Sequence, residues 1–233
     1  MHALIALALG GHPTLYNTSV RNVNDLSEFR QALVALAGPV FSLLQGLVVL
    51  AFVRQRRATG LAALFALFFG VFGVINFLGY LMITPFVPYG DLGQVAAIWH
   101  LPLPLGVAVA AGIVLTISVR RTAPLFMRFV PAEVATPAAR VEKGRALRAL
   151  TAWPWLIGSI VITALSWPVP TLANLLVAPM SSMVLGAAWG AAMCQPELSG
   201  STAPVVFRWS WGAVVGLVLM ALVFRSLQNG VVL

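Results

Sequence analysis

Ionisable side chains are scarce in this sequence. It holds three histidines and six acids in 233 residues, 60% of them hydrophobic. Such groups in or beside apolar runs are the ones that carry chemistry in an apolar protein. Asp91 is the acid that falls between Glu28 and Glu133, in Tyr89-Gly90-Asp91-Leu92-Gly93, just after a run broken by Pro85 and Pro88. Irregular backbone at membrane depth is tolerated where protein or a water-filled cavity surrounds it; an interfacial loop carboxylate is the plainer reading of Asp91. His2 opens an apolar stretch, residues 1–11, and read alone is an ordinary terminal residue. His12, before Pro13, and His100, after Trp99, read as interfacial. Asn76 lies inside an apolar run, where a buried amide needs partners. Gly38-Pro39 interrupts another run; proline removes a backbone donor and crowds the carbonyl four residues back, which bends a helix.

The elements that must position these residues follow from composition. Charged residues make up 9% of the chain, against about 25% in ordinary globular proteins. With a mean hydropathy of +0.95, the chain belongs to the membrane class. Crossing about 30 Å of hydrocarbon takes roughly 20 apolar residues in a helix. Residues 31–53, 61–83, 101–119, 150–167 and 171–193 qualify, and 209–224 is slightly short. The expected fold is therefore all-α, a polytopic transmembrane helix bundle of about five full spans. An N-terminal half-helix (residues 1–11) and a small hairpin-like insertion (residues 12–30, with strand alternation around 16–23) precede them. Residues 1–119 form the core, 120–148 a basic loop, and 149–233 the C-terminal transmembrane helices.

The net charge of +8 is no nucleic-acid signature, because the basic residues sit in the gaps between apolar runs. Arg54, Arg56 and Arg57 follow the first full span; Arg120, Arg121, Arg128, Arg140, Lys143, Arg145 and Arg148 follow the third. These ten fall on one side if each run crosses once, which marks that side as cytoplasmic. Arg21, Arg30 and Arg225 fall opposite. Arg140 to Arg148 reads as a solvated loop, with an amphipathic segment on anionic lipid as the alternative. Gly186-x-x-x-Gly190 and Gly212-x-x-x-Gly216 read as helix-packing faces. The single cysteine, Cys194, excludes an internal disulfide and reads as a packing thiol. The Ala- and Arg-rich, Lys-poor composition suggests a bacterial cytoplasmic membrane.

In order along the chain, the first hundred residues resemble the site-2 protease family of intramembrane zinc metalloproteases. The matching pieces are His2 followed by Ala3-Leu4-Ile5-Ala6-Leu7-Ala8-Leu9-Gly10-Gly11, the 12–30 insertion, Ala37-Gly38-Pro39, and Asn76-Phe77-Leu78-Gly79-Tyr80 leading to Gly90-Asp91. The resemblance implies that His2 is the second histidine of HExxH and Asp91 the carboxylate ligand of zinc. Gly38 and Pro39 would open room for an unwound substrate strand, and Asn76 would belong to the same substrate-access or structural set. In that chemistry two histidines on one helix face and a carboxylate hold the metal, and the glutamate is the base toward the metal-bound water. The implied function is peptide-bond hydrolysis within or near the bilayer, on a membrane-protein substrate.

The first histidine and the general-base Glu would precede residue 1, so no catalytic residue is expected in this chain, and as given it is expected to be inactive. Ser42 stands where the family often has an asparagine, and Leu92 follows Asp91. Either the reading frame begins upstream, which the eleven-residue half-helix favours, or the protein is a non-catalytic relative. The alternatives are non-enzymatic: a polytopic transporter, although the halves show no internal repeat, or an accessory or scaffold subunit. The family resemblance makes a cheap prediction. The genomic sequence upstream of Met1 should encode a His-Glu pair at HExxH spacing from His2; an in-frame stop directly before Met1 would count against the full enzyme.

Overall fold

A run of about 20 apolar residues can satisfy its backbone without water only by coiling into a helix, and the chain does this repeatedly. The computed structural model describes residues 1–233 except 18, 22–24, 57–58, 87–89, 103, 135–138, 166–182 and 195–210. The described helices are α1 (His2–Ala8), α2 (Glu28–Gln55), α3 (Leu61–Ile83), α4 (Asp91–Ile98), α5 (Leu105–Arg120), α6 (Ala123–Met127), α7 (Arg140–Leu165), α8 (Leu185–Met193) and α9 (Trp211–Ser226). Among the described residues five stretches are long and apolar enough to cross a membrane: Glu28–Gln55, Leu61–Ile83, Leu105–Met127, Arg140–Leu165 and Trp211–Asn229. The mostly helical fold agrees with the sequence, four of the five expected spans have a counterpart among these helices, and the fifth of these helices is the stretch expected to be slightly short, residues 209–224. The expected span over 171–193 lies largely outside the described residues, which retain its last part as α8.

α2 and α3 are the central antiparallel pair. Glycine lets them touch: a Cβ on Gly73 would run into the Ser42 carbonyl oxygen, and one on Gly46 would stand 2.8 Å from the Gly70 carbonyl oxygen. α3 also faces the main core, where Leu67, Val71 and Ile75 meet Leu115 and Val119 of α5, Phe126 and Met127 of α6, Leu147 of α7 and Leu185 of α8. Phe126 is fully buried, its ring edge-on to Phe68 at 5.6 Å.

At one end of the bundle Arg128 donates to the carbonyls of Val53 (2.9 Å), Arg56 (3.2 Å) and Arg54 (3.3 Å). This cation caps the last turn of α2, where unpaired carbonyls carry the negative end of the helix dipole. Arg128 of the second basic cluster thus stands at the same end of the structure as Arg54 and Arg56 of the first. At the other end lies a small sheet of order β2-β1-β3: β1 (Thr14–Leu15) pairs antiparallel with β2 (Val20–Arg21) and with β3 (Val231–Val232). The insertion is a hairpin as expected, and the C-terminal strand joins it. Gln228 Nε2 donates to the Leu165 carbonyl at 2.9 Å, so the end of α7 is there too.

Several expectations are corrected. Residues 140–148 are not a solvated loop but the first turns of α7, with Lys143 buried, and α6 before them is core. The first full span starts at Glu28 and runs unbroken through Pro39, which is fully buried. Cys194 is exposed rather than packed. Among the described residues nothing comes within 4 Å of a Cβ built on Gly186, Gly190 or Gly216, whereas Gly46, Gly70 and Gly73 make close approaches between α2 and α3, and Gly38 makes one to α1. Gly73→Ala is therefore expected to destabilise the protein by about 1–3 kcal/mol through overpacking. Gly216→Ala should be neutral or stabilising by up to about 1 kcal/mol. Unfolding in mixed detergent micelles checks this; equal stability of the two variants would refute the assignment.

Candidate metal-binding dyad

α1 is only seven residues long and cannot persist unaided. It is held by Ala6, which packs with Leu26 and Val34, and by Arg30 Nη1, which donates to the Leu9 carbonyl at 3.2 Å. This lays α1 along the first half of α2 and points His2 at it. The imidazole lies directly over Gly38; a Cβ at residue 38 would overlap His2 Nε2 and Cε1. His2 Nδ1 is 2.6 Å from the Val34 carbonyl oxygen. A carbonyl can only accept, so Nδ1 carries the proton and Nε2 is the nitrogen left for other work. Pro39 has no N–H for the Ala35 carbonyl, which loosens the same turn of α2.

α4 flanks α2 on its other side, through Val95 against Ala32 and Ala35 and through Trp99 stacked on Phe29 at 6.3 Å. Asp91 is the first residue of α4, a position that favours a carboxylate because the helix N-terminus is positive. It is thus a helix residue rather than part of an irregular loop. Its Oδ2 stands 3.4 Å from His2 Nε2, with both side chains about a quarter exposed (26% for His2, 29% for Asp91). Tyr80, near the end of α3, lies close enough to the same carboxylate to interact with it. Tyr80 appeared in the sequence only as the last residue of the Asn76 segment; no spacing rule marked it.

The 3.4 Å separation is informative. A direct charge-assisted N–H···O bond closes to about 2.7–2.9 Å. Two ligands bound at about 2.0–2.2 Å and a tetrahedral angle to one ion stand about 3.3–3.5 Å apart. At 3.4 Å the two atoms are within ion-pair range, and the same spacing would also suit two ligands of one zinc ion, with the Val34 bond fixing the tautomer of the histidine. The fit covers two positions; among the described residues no group of three His, Cys, Asp or Glu gathers that could hold a metal ion.

The other sequence candidates separate. Gly38 is part of the dyad as the surface beneath the ring. Asn76 lies elsewhere on the α2–α3 seam and is exposed rather than buried, its Nδ2 donating to Ser42 Oγ at 3.0 Å. His12 and His100 are exposed. Family models, curated proteins and solved structures offer no match to this chain.

Because the ring occupies the volume of a missing side chain, Gly38→Ala should displace His2 and cost about 1–3 kcal/mol. Gly79→Ala, with nothing within 4 Å of the added carbon, is the control. Imidazole NMR shifts and unfolding midpoints report both; an unmoved His2 resonance in Gly38→Ala would show the contact to be absent.

Proposed function

We propose that this chain is an integral membrane protein of the site-2 protease type, in which His2 and Asp91 are two protein ligands of a zinc ion. The observation that carries this reading is the 3.4 Å spacing of Nε2 and Oδ2 with Nδ1 tied to the Val34 carbonyl. When bound, zinc lowers the pKa of its water to about 7 and makes hydrolysis of a peptide bond accessible at neutral pH. The chain's own part is to hold the donors. Val34 fixes the His2 tautomer, Gly38 admits the ring, the α4 N-terminus presents Asp91, and Tyr80 lies beside that carboxylate from the α3 side. Hydrolysis needs a third ligand and a base besides these, at the HExxH positions that the family places ahead of His2.

The membrane placement rests on surface chemistry. α9 has no buried residue and exposes Val215, Leu217, Val218, Leu219, Met220, Leu222 and Val223, a patch that water does not tolerate on a soluble monomer. The basic end, with Arg54, Arg56 and Arg128, then lies on the cytoplasmic side of a bacterial membrane. Gly38 is ten residues into α2, so the dyad sits about 15 Å from the Glu28 end, in the half of the bundle away from the basic cluster. The substrate is a peptide segment of another membrane protein within or near the bilayer.

Zinc binding tests the reading. Asp91→Asn and His2→Ala should each lower zinc affinity at least tenfold, and Tyr80→Phe should weaken it less. Metal content after dialysis and competitive titration with a chromophoric chelator provide the measurement. Zinc content unchanged by both ligand substitutions would leave His2–Asp91 as an ion pair joining α1 to α4 in a non-enzymatic polytopic protein.

A further inference from the structure

A second polar place lies on the α2–α3 seam and belongs to no part of the dyad. Between these helices, on the outer face, is a cavity of about 350 Å³ whose lining includes Ser42, Gln45, Phe69, Phe72 and Asn76. Its floor is preformed, because Gly73 and Gly46 bring the two backbones together directly beneath it. We infer that this groove docks a separate membrane-spanning helix that inserts a carboxamide side chain, asparagine or glutamine, between Gln45 and Asn76. The inference rests on the membrane placement proposed above but not on zinc.

Hydrogen-bond capacity selects the occupant. Asn76 spends one N–H on Ser42 Oγ at 3.0 Å, which leaves a second N–H and the Oδ1 acceptor. Gln45 Nε2 reaches the Phe69 carbonyl at 3.4 Å, at the long limit for such a bond, and its Oε1 has no side-chain partner among the described residues. Hydrocarbon tails satisfy none of these groups, and each unmet one in lipid is costly. A carboxamide both donates and accepts within one small volume, so one side chain can meet Gln45 and Asn76 together, which an aliphatic side chain cannot. The rims fit a helix. On α2, Phe41, Leu44 and Val48 are exposed at helical spacing; on α3, Phe65 and Phe69 are exposed and stacked at 5.9 Å. A volume of about 350 Å³ cannot swallow a helix, so the occupant lies across the apolar rims and sends one polar side chain in.

The test uses the full chain in phosphatidylcholine vesicles with a fluorescent, Leu/Ala-rich spanning peptide bearing either Asn or Leu at its centre, at high lipid dilution. Association is read by energy transfer to a label at the basic end. The Asn peptide should bind about 3- to 10-fold more tightly than the Leu peptide, the range expected of one interhelical hydrogen-bond set. Asn76→Leu and, separately, Gln45→Leu should bring the Asn peptide down to the Leu level; two variants keep the result readable if one misfolds. Equal binding of the two peptides to wild type overturns the docking proposal, and so does self-association through the groove that the Asn peptide fails to compete. Release of the protein from vesicles by alkaline carbonate overturns the membrane placement and the docking with it. Retention with equal binding overturns the docking alone.

Discussion

The missing side chain at residue 38 decides what can lie against the first half of α2. With any Cβ there the His2 ring is excluded, and with it the bond from Nδ1 to the Val34 carbonyl and the approach of Nε2 to Asp91. α1 then keeps only Ala6 and its neighbours to hold it, which is little for a helix of two turns. α4 would lose its link to α1 but keep its own seat through Val95 and Trp99. One glycine therefore joins three helices, because it lets a side chain of the first pass over the second to reach the third.

The same device recurs deeper in the bundle. Gly46 and Gly73 let α2 and α3 approach backbone to backbone, and that contact sets the register in which Ser42 faces Asn76 and Gln45 faces the Phe69 carbonyl. In the same antiparallel register Gly38 falls level with Tyr80. The dyad and the polar groove are thus successive levels of one seam, about one helical turn apart. In the proposed membrane placement, apolar helices without such close points would slide on one another, since lipid offers no hydrophobic gain for their association. Here glycine supplies the contact and polar side chains fix its phase.

The spans were legible because hydropathy over 20 residues is a strong local signal, and the basic clusters because charge is excluded from the runs. His2 and Asp91 were legible as rare ionisable groups placed by a family resemblance, and the structure brings them to 3.4 Å. What failed has a common cause: it depends on partners far away in sequence. Gly186, Gly190 and Gly216 carry the familiar four-residue spacing, yet nothing among the described residues meets them, while Gly46, Gly70 and Gly73 pack between α2 and α3. Whether a glycine packs is a property of the opposite helix. Strand β3 is two residues long and leaves no periodicity to read; it exists because β1 offers it an edge. Tyr80 looked like any aromatic in an apolar helix until α4 placed a carboxylate beside it. Residues 140–148 looked like a loop because charge density outweighed helix propensity in the reading, although Arg, Lys, Glu, Ala and Leu are all good helix formers.

Depth makes the dyad a unit. In the proposed placement His2 and Asp91 sit about 15 Å along α2 from its start, with roughly three quarters of each side chain covered. A lone carboxylate there is expensive, and a lone imidazolium equally so. With Nδ1 already committed to Val34, His2 can answer Asp91 only through Nε2, either as a donor or as a co-ligand. The ring is held over Gly38 by the Val34 bond, and at 3.4 Å its Nε2 stands within ion-pair reach of the Asp91 carboxylate. Because one ring nitrogen and one carboxylate oxygen converge from two helices, the dyad, rather than either residue, carries the functional reading.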